Sequence, residues 1–314
     1  MSTAPADPGR LFTDSTAQNE GQFAARDWAL FVAVAAIWGS SFLFIDIGLD
    51  ALPPGLITLL RVALGAACLA VLNRNRTPIG GEDRRRLVVL SVIWVAIPFT
   101  LFPIAEQYIN SSVTGLLNGG TPIFVALVAT ALFGRPPRGA LLAGIVIGFV
   151  GVALISLPSI SDGSSEALGV LLVIAATVCY GFALNLAPPL QQRYGSVNLM
   201  AKMLALATIW TTPYGLWQLD EAEWELGPVV AVVILGVVGT GVGFALMAAL
   251  VGRVGSTRAS FITYLIPVVA LVLGVAFRDD EVAPLALAGV VFVIAGALLA
   301  SRRTVSEPAP EGSR

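Results

Sequence analysis

The chain has 314 residues, with 18 Lys plus Arg, 20 Asp plus Glu and no histidine, and only 12% of it is charged. Soluble domains carry roughly 25% charged residues; at 56% hydrophobic this chain cannot cover itself with polar surface, so lipid is the solvent for most of it. The missing histidine excludes His-dependent triads and imidazole metal sites, a net charge of −2 without a basic stripe argues against nucleic acid, and Cys68 and Cys179, both in apolar runs, form no disulfide framework.

Residues 1–26 are polar and read as a disordered cytoplasmic tail, without the basic start, apolar run and cleavage site of a signal peptide. Apolar runs then follow one another, and a spanning helix needs about 20 such residues. The pattern predicts spans near 28–47, 54–72, 87–105, 112–133, 139–157, 168–187, 197–217, 228–250, 258–277 and 283–301, with a second disordered tail over 302–314. The expected fold class is therefore an all-α integral membrane protein of ten helices. With both ends in the cytoplasm, 15 of the 18 basic residues fall on the inner side, Arg278 falls outside, and Arg61 and Lys202 lie within spans. Retention of Lys and Arg in the cytoplasm produces that bias, which points to a multi-pass protein of the cytoplasmic membrane.

The stretch from Phe99 to Pro158 resembles Phe244 to Arg303 at a constant shift of 145, which aligns Pro122 with Pro267, Gly144 with Gly289 and Gly151 with Gly296. Trp38-Gly39 corresponds to Tyr180-Gly181 at a shift of 142. The chain thus divides into five-helix units over 27–158 and 168–301. Five is odd, so the second unit crosses the membrane in the opposite sense, the inverted repeat of secondary transporters. Arg61, near the outer end of the second span, and Lys202, near the inner end of the seventh, fit that inversion.

Trp38-Gly39-Ser40-Ser41-Phe42, then Pro53, Pro54 and Arg61, then Thr121-Pro122 and a glycine-spaced fifth helix resemble the EamA family of the drug/metabolite transporter superfamily. The resemblance covers roughly residues 28–301 as two units. It implies ten helices, both termini inside, and a central cavity opening alternately to each side. It also implies carriage of small metabolites, often export of amino acids or related compounds. One departure is Gly134-Arg135, where the family usually has Gly-Glu; the second unit has Arg278-Asp279-Asp280-Glu281 there.

Ionisable groups inside a span cost about 2.5 kcal/mol or more unless paired or wetted. Arg61 is open to two roles, holding a substrate carboxylate or, the structural expectation, pairing with Asp46 or helix-end carbonyls to pin the first two helices. Lys202 either holds substrate or snorkels to the inner surface. Glu106 and Asp46 are the carboxylates that could titrate in a proton-coupled cycle, and Glu106 is the coupling candidate.

Asn118 and Thr121 before Pro122, and Thr263 and Tyr264 before Pro267, are matched polar interruptions. Proline frees an i−4 carbonyl and kinks the helix, and paired interruptions mark transport sites. Asn185, Trp38, Ser41 and Tyr180 could complete the wall. Gly144 and Gly148, with Gly239 and Gly243, give small-residue faces for close packing within the chain.

These residues predict a secondary transporter that moves an amino acid or neutral amphiphile, by export, through alternating access. The alternative is a non-transporting membrane sensor or scaffold. No cofactor, metal or enzymatic activity is expected; the partners are a small-molecule substrate and the bilayer, with monomer or homodimer left open.

Overall fold

The computed structural model describes residues 24–74, 76–134, 138–162 and 164–300, and every regular element among them is helical. Among the described residues the long helical rods follow in chain order, with a short helix over Pro188–Tyr194 between the sixth and seventh: α1 (Ala25–Leu49), α2 (Pro54–Leu72), α3 (Gly81–Ala105), α4 (Ser111–Phe133), α5 (Gly139–Asp162), α6 (Ser164–Leu186), α7 (Ser196–Trp217), α8 (Leu226–Val254), α9 (Ser256–Arg278) and α10 (Pro284–Ala300). Eight of these are long and apolar enough to cross a membrane, and α10 is apolar but shorter. The 22-residue α7 is more polar, holding Asn198, Lys202 and three threonines. Both expected tails lie outside the described residues, except that Ala24 caps α1 and Ala25 and Arg26 open it.

Several rods depart from regular α geometry, and they do so in pairs. A π turn occupies Ser91–Ala96 in α3 and Leu235–Val242 in α8. The α4 rod breaks at Gly119–Gly120, and α9 runs through a 3-10 turn at Ser260–Tyr264 before restarting at Ile266. Gly134 and Asp279, 145 residues apart, end α4 and α9 in the left-handed region, with φ of 64° and 53°. Pro122 and Pro267 each sit in the first turn of the restarted helix. There the missing N–H would have had no helical partner anyway, so each proline marks a restart and not the mid-helix kink expected from sequence.

The contacts between the two halves are reciprocal. A Cβ on Gly151 would lie 2.6 Å from the Gly289 carbonyl oxygen, and one on Gly296 would lie 2.6 Å from the Gly144 carbonyl oxygen. Thus α5 and α10 cross antiparallel through their glycines, backbone against backbone. Gly39 of α1 packs on Val269 of α9, while Gly181 of α6 packs on Phe124 of α4. Gly65 of α2 meets Gly236 of α8, and Trp210 of α7 donates to Ser91 of α3 at 3.1 Å. In the last pairing Gly65 and Trp210, like Ser91 and Gly236, are 145 residues apart. Each contact a–b′ is matched by b–a′, as a two-fold relation between copies of one unit requires.

The rod ends are tied by polar groups. At one end Arg253 Nε donates to the buried Asp27 at 2.5 Å, and Asp83 accepts from Arg193 at 2.7 Å and from the Tyr194 hydroxyl at 2.9 Å. The Asp83 carboxylate holds the Arg193 guanidinium above its usual range. At the other end Arg278 Nε donates to Asp46 at 2.6 Å while its terminal nitrogens grip Asp50 at 2.9 and 2.7 Å. Asp280 accepts from the Ser111 hydroxyl and the Ser112 amide, at 3.0 and 2.9 Å, capping the start of α4. The expected partner of Asp46 was Arg61. The fork of Arg278 takes it instead, because Asp46 and Asp50 lie one turn apart on α1 and face the end of α9.

Candidate transport site

The best-defined polar arrangement inside the bundle grows from a proline. Pro103 in α3 has no N–H, so it leaves the Phe99 carbonyl without a helical donor. Thr58 of α2 supplies one, its hydroxyl lying 3.0 Å from that oxygen and 2.9 Å from the Pro54 carbonyl. This contact fixes α2 against α3, and one turn further along α2 the Arg61 guanidinium carbon lies 3.9 Å from the centroid of the Phe99 ring. Such a cation–π contact contributes about 2 kcal/mol when desolvated. Arg61 is 7% exposed, and its Nε donates to Thr240 Oγ1 at 3.2 Å. Thr240 sits in the π turn of α8 and bonds Leu235 five residues back.

An aromatic run continues from that point. Phe42 of α1 stacks edge-on against Phe102 of α3 at 5.6 Å, and Phe102 lies 6.0 Å from Tyr180 of α6. Glu106, which caps the C-terminus of α3, is 8% exposed, and neither of its carboxylate oxygens has a hydrogen-bond partner among the described residues.

The other sequence-chosen residues are distributed around this centre. Trp38 stacks against Phe244 at 5.4 Å, and Ser41 is buried opposite Gly239, so both face α8. The Asn118 carbonyl, at the end of the first half of α4, accepts from the Thr121 hydroxyl at 2.7 Å, so that acceptor is already taken. Asn185 donates from Nδ2 to the carbonyls of Val125 and Gly181, at 2.9 and 2.8 Å, which ties α6 to α4. Thr263 donates to Ser260 at 2.8 Å, and Tyr264 stacks against Phe261 at 5.8 Å in the 3-10 turn of α9. Lys202 is half-buried on the α7 stripe that also carries the exposed Ala205 and Ile209, and no described residue pairs with it. No described hydrogen bond joins the Asn118 group, the Thr263 group and Lys202 to one another.

A cavity of about 470 Å³ opens beside the α3–α4 turn, lined by Tyr108, Asn110, Glu166 and Glu281 among others. A groove of about 410 Å³ runs between α3 and α7 past Thr100, Trp210 and Tyr214. Neither is lined by a residue chosen from the sequence. Thr58, Phe99 and Thr240 escaped that reading as well. The available signal was Pro103 four residues after Phe99, which announces a carbonyl needing a donor from another helix.

The model of the EamA-like transporter family matches this chain twice, over residues 28–157 and 167–302. The chain therefore belongs to the EamA-like transporter family, and it is a multi-pass membrane protein. An uncharacterized transporter of Archaeoglobus fulgidus is 24% identical over 88% of this chain and 99% of its own length. A "probable terminal-alkyne amino-acid exporter" of Streptantibioticus cattleyicolor is 26% identical over 88% and 94%, and a "probable amino-acid metabolite efflux pump" of Escherichia coli is 22% identical over 86% and 93%. A crystal structure at 17% identity superposes with a TM-score of 0.60, covering 88% of this chain and 97% of that one, which shows a shared fold.

Proposed function

We propose that this protein is a secondary transporter that moves a small metabolite, an amino acid or a neutral amphiphilic compound, out of the cell by alternating access. In this reading it crosses the cytoplasmic membrane ten times, as inverted five-helix units over 27–158 and 168–301 with both chain ends inside. The observation that carries it is the reciprocity of the glycine contacts: Gly151 on Gly289 with Gly296 on Gly144, and Gly39 on Val269 with Gly181 on Phe124. Two like units packed this way can exchange conformations, and the exchange moves a site between them from one side to the other. The relatives named for amino-acid export favour that substrate class.

Trp38, Ser41, Tyr180, Asn118, Thr121, Thr263 and Tyr264 belong to the wall of the pathway in this reading, and Lys202 guards its inner mouth. The test is counterflow of radiolabelled amino acids and neutral amphiphiles in proteoliposomes. Asn118→Ala and Lys202→Ala should slow flux several-fold while inserting normally. A scaffold would move none of the compounds, and that result would overturn the proposal.

A further inference from the structure

Around the outer turn of α1, the end of α3 and the end of α9, the charged groups are nearly all engaged. Asp46 and Asp50 hold Arg278, and Asp280 holds Ser111 and the Ser112 amide. Two buried charged groups in this neighbourhood are not fully matched among the described residues. Glu106 is within electrostatic reach of Asp46, Arg61 and Asp280, yet both its oxygens are buried without a donor. Arg61 uses only Nε; its terminal nitrogens donate to no described residue. No ion pair joins Arg61 to Glu106, although both are at least nine-tenths buried.

A buried carboxylate left without partners costs several kcal/mol. Taking up a proton removes the charge but adds an O–H donor that itself needs a partner. A cationic N–H donor satisfies both oxygens, and a carboxylate suits the free edge of a guanidinium, which binds it through parallel hydrogen bonds. The two groups lie along one stripe of α3: Phe99 under Arg61, Phe102 three residues on, and Glu106 four residues beyond, about 10 Å up the helix axis. Phe102, flanked by Phe42 and Tyr180, gives the middle of the stripe an apolar wall.

We propose that Glu106 and Arg61 are the two ends of a site for a zwitterionic α-amino acid with an apolar side chain. Glu106 takes the ammonium group, the terminal nitrogens of Arg61 take the carboxylate, and the Phe42–Phe102–Tyr180 wall takes the side chain. This assignment rests on the carrier reading above and names its substrate and two binding residues.

The test uses full-length protein in detergent and three probes: L-leucine, 3-methylbutylamine, which lacks the carboxylate, and 4-methylpentanoate, which lacks the amine. Affinity is read from the thermal shift, and each probe is also offered in counterflow. Wild type should bind leucine at least tenfold more tightly than either analogue. Glu106→Gln, the same shape without the charge, should lose at least tenfold in leucine affinity, and Glu106→Asp should regain part of it. Equal binding of one analogue, no binding of leucine, or full leucine affinity in Glu106→Gln overturns the assignment, the last being what a purely proton-carrying Glu106 would give. If Glu106→Gln does not fold, the wild-type ranking of the three probes decides alone. Flux of neutral amphiphiles without leucine binding would overturn this site and leave the carrier standing, whereas no flux of any compound would overturn both.

Discussion

Gly151→Ala tests the contact on which the two-unit architecture turns. The added Cβ would stand 2.6 Å from both the Gly289 oxygen and the Val293 nitrogen, and 2.8 Å from a Val293 methyl. The first two are backbone atoms and cannot rotate away. Restoring an ordinary C···O distance of about 3.3 Å forces α5 and α10 apart by more than half an ångström. A gap of about 0.5–1 Å forfeits a quarter to a half of the dispersion energy of the facing atoms. Overpacking of this kind costs about 1–3 kcal/mol, against roughly 1 kcal/mol gained in helix propensity, so net destabilisation is expected. Gly252 supplies the opposite case: it lies in α8 with nothing within 4 Å of an added Cβ, so Gly252→Ala keeps only the gain, about 0.5–1 kcal/mol. The assay is the thermal unfolding midpoint of full-length protein in detergent at two protein concentrations. Gly151→Ala should melt below wild type by the same margin at both, because the contact is within one chain, and Gly252→Ala should melt at or above it. A Gly151→Ala protein as stable as wild type would refute the close-contact reasoning, and a concentration-dependent loss would move the glycines to an interface between copies.

Arg278→Ala removes charged hydrogen bonds to both Asp46 and Asp50 and should cost about 1.5–3 kcal/mol of stability; Arg278→Lys should restore only part, because an ammonium cannot reproduce the fork. Thr58→Val leaves the Phe99 carbonyl without its donor and should cost about 1–2 kcal/mol, with Thr58→Ser close to wild type in the same melting assay. Asn185→Ala should lower stability by about 1–3 kcal/mol through the lost bonds to Val125 and Gly181 while leaving the transport KM unchanged; a raised KM at normal stability would make Asn185 a substrate contact. Asp279→Gly relieves a left-handed non-glycine residue and should raise stability by about 1 kcal/mol.

Most of the architecture is legible in the sequence because lipid imposes a simple rule: an apolar run of sufficient length becomes a helix, since its backbone has no water to bond. Glycines at a fixed shift also mark the close helix contacts, because only glycine permits backbone contact such as that between Gly151 and Gly289. The side-chain network was less legible. Asp46 had several cations within plausible reach, and nothing in its own neighbourhood distinguishes Arg61 from Arg278, which is 232 residues away. Pro122 differs for a related reason: it stands in the first turn of a restarted helix, where its missing N–H removes no helical bond, and the Thr121 hydroxyl beside it already closes the Asn118 carbonyl. At Pro103 no such neighbour exists, and the freed carbonyl draws in Thr58 from another helix.

The polar ties do not share the symmetry of the glycine contacts, and the difference bears on how the molecule works. At a shift of 145, Arg278 corresponds to Phe133 and Arg253 to Tyr108, so neither end-clamp has a counterpart in the other unit. Glu106 corresponds to Val251, and Arg61 to Leu206. The glycine packing contacts are therefore duplicated at a shift of 145, while these charged groups are written once. In the proposed carrier, backbone contact through glycine constrains both units equally and would give the bundle two near-equivalent ways to pack. Single-copy charges are what make the two ends unequal: one is held by the bidentate Arg278 fork between α1 and α9, the other by Arg253 on the buried Asp27. On the proposal made above, a substrate that engages Glu106 and Arg61 would act next to the first clamp and far from the second, because Glu106 lies within the field of Asp46. Binding there shifts the balance of charge at one end alone, which is the differential interaction that a ligand must have to move an equilibrium between two conformations.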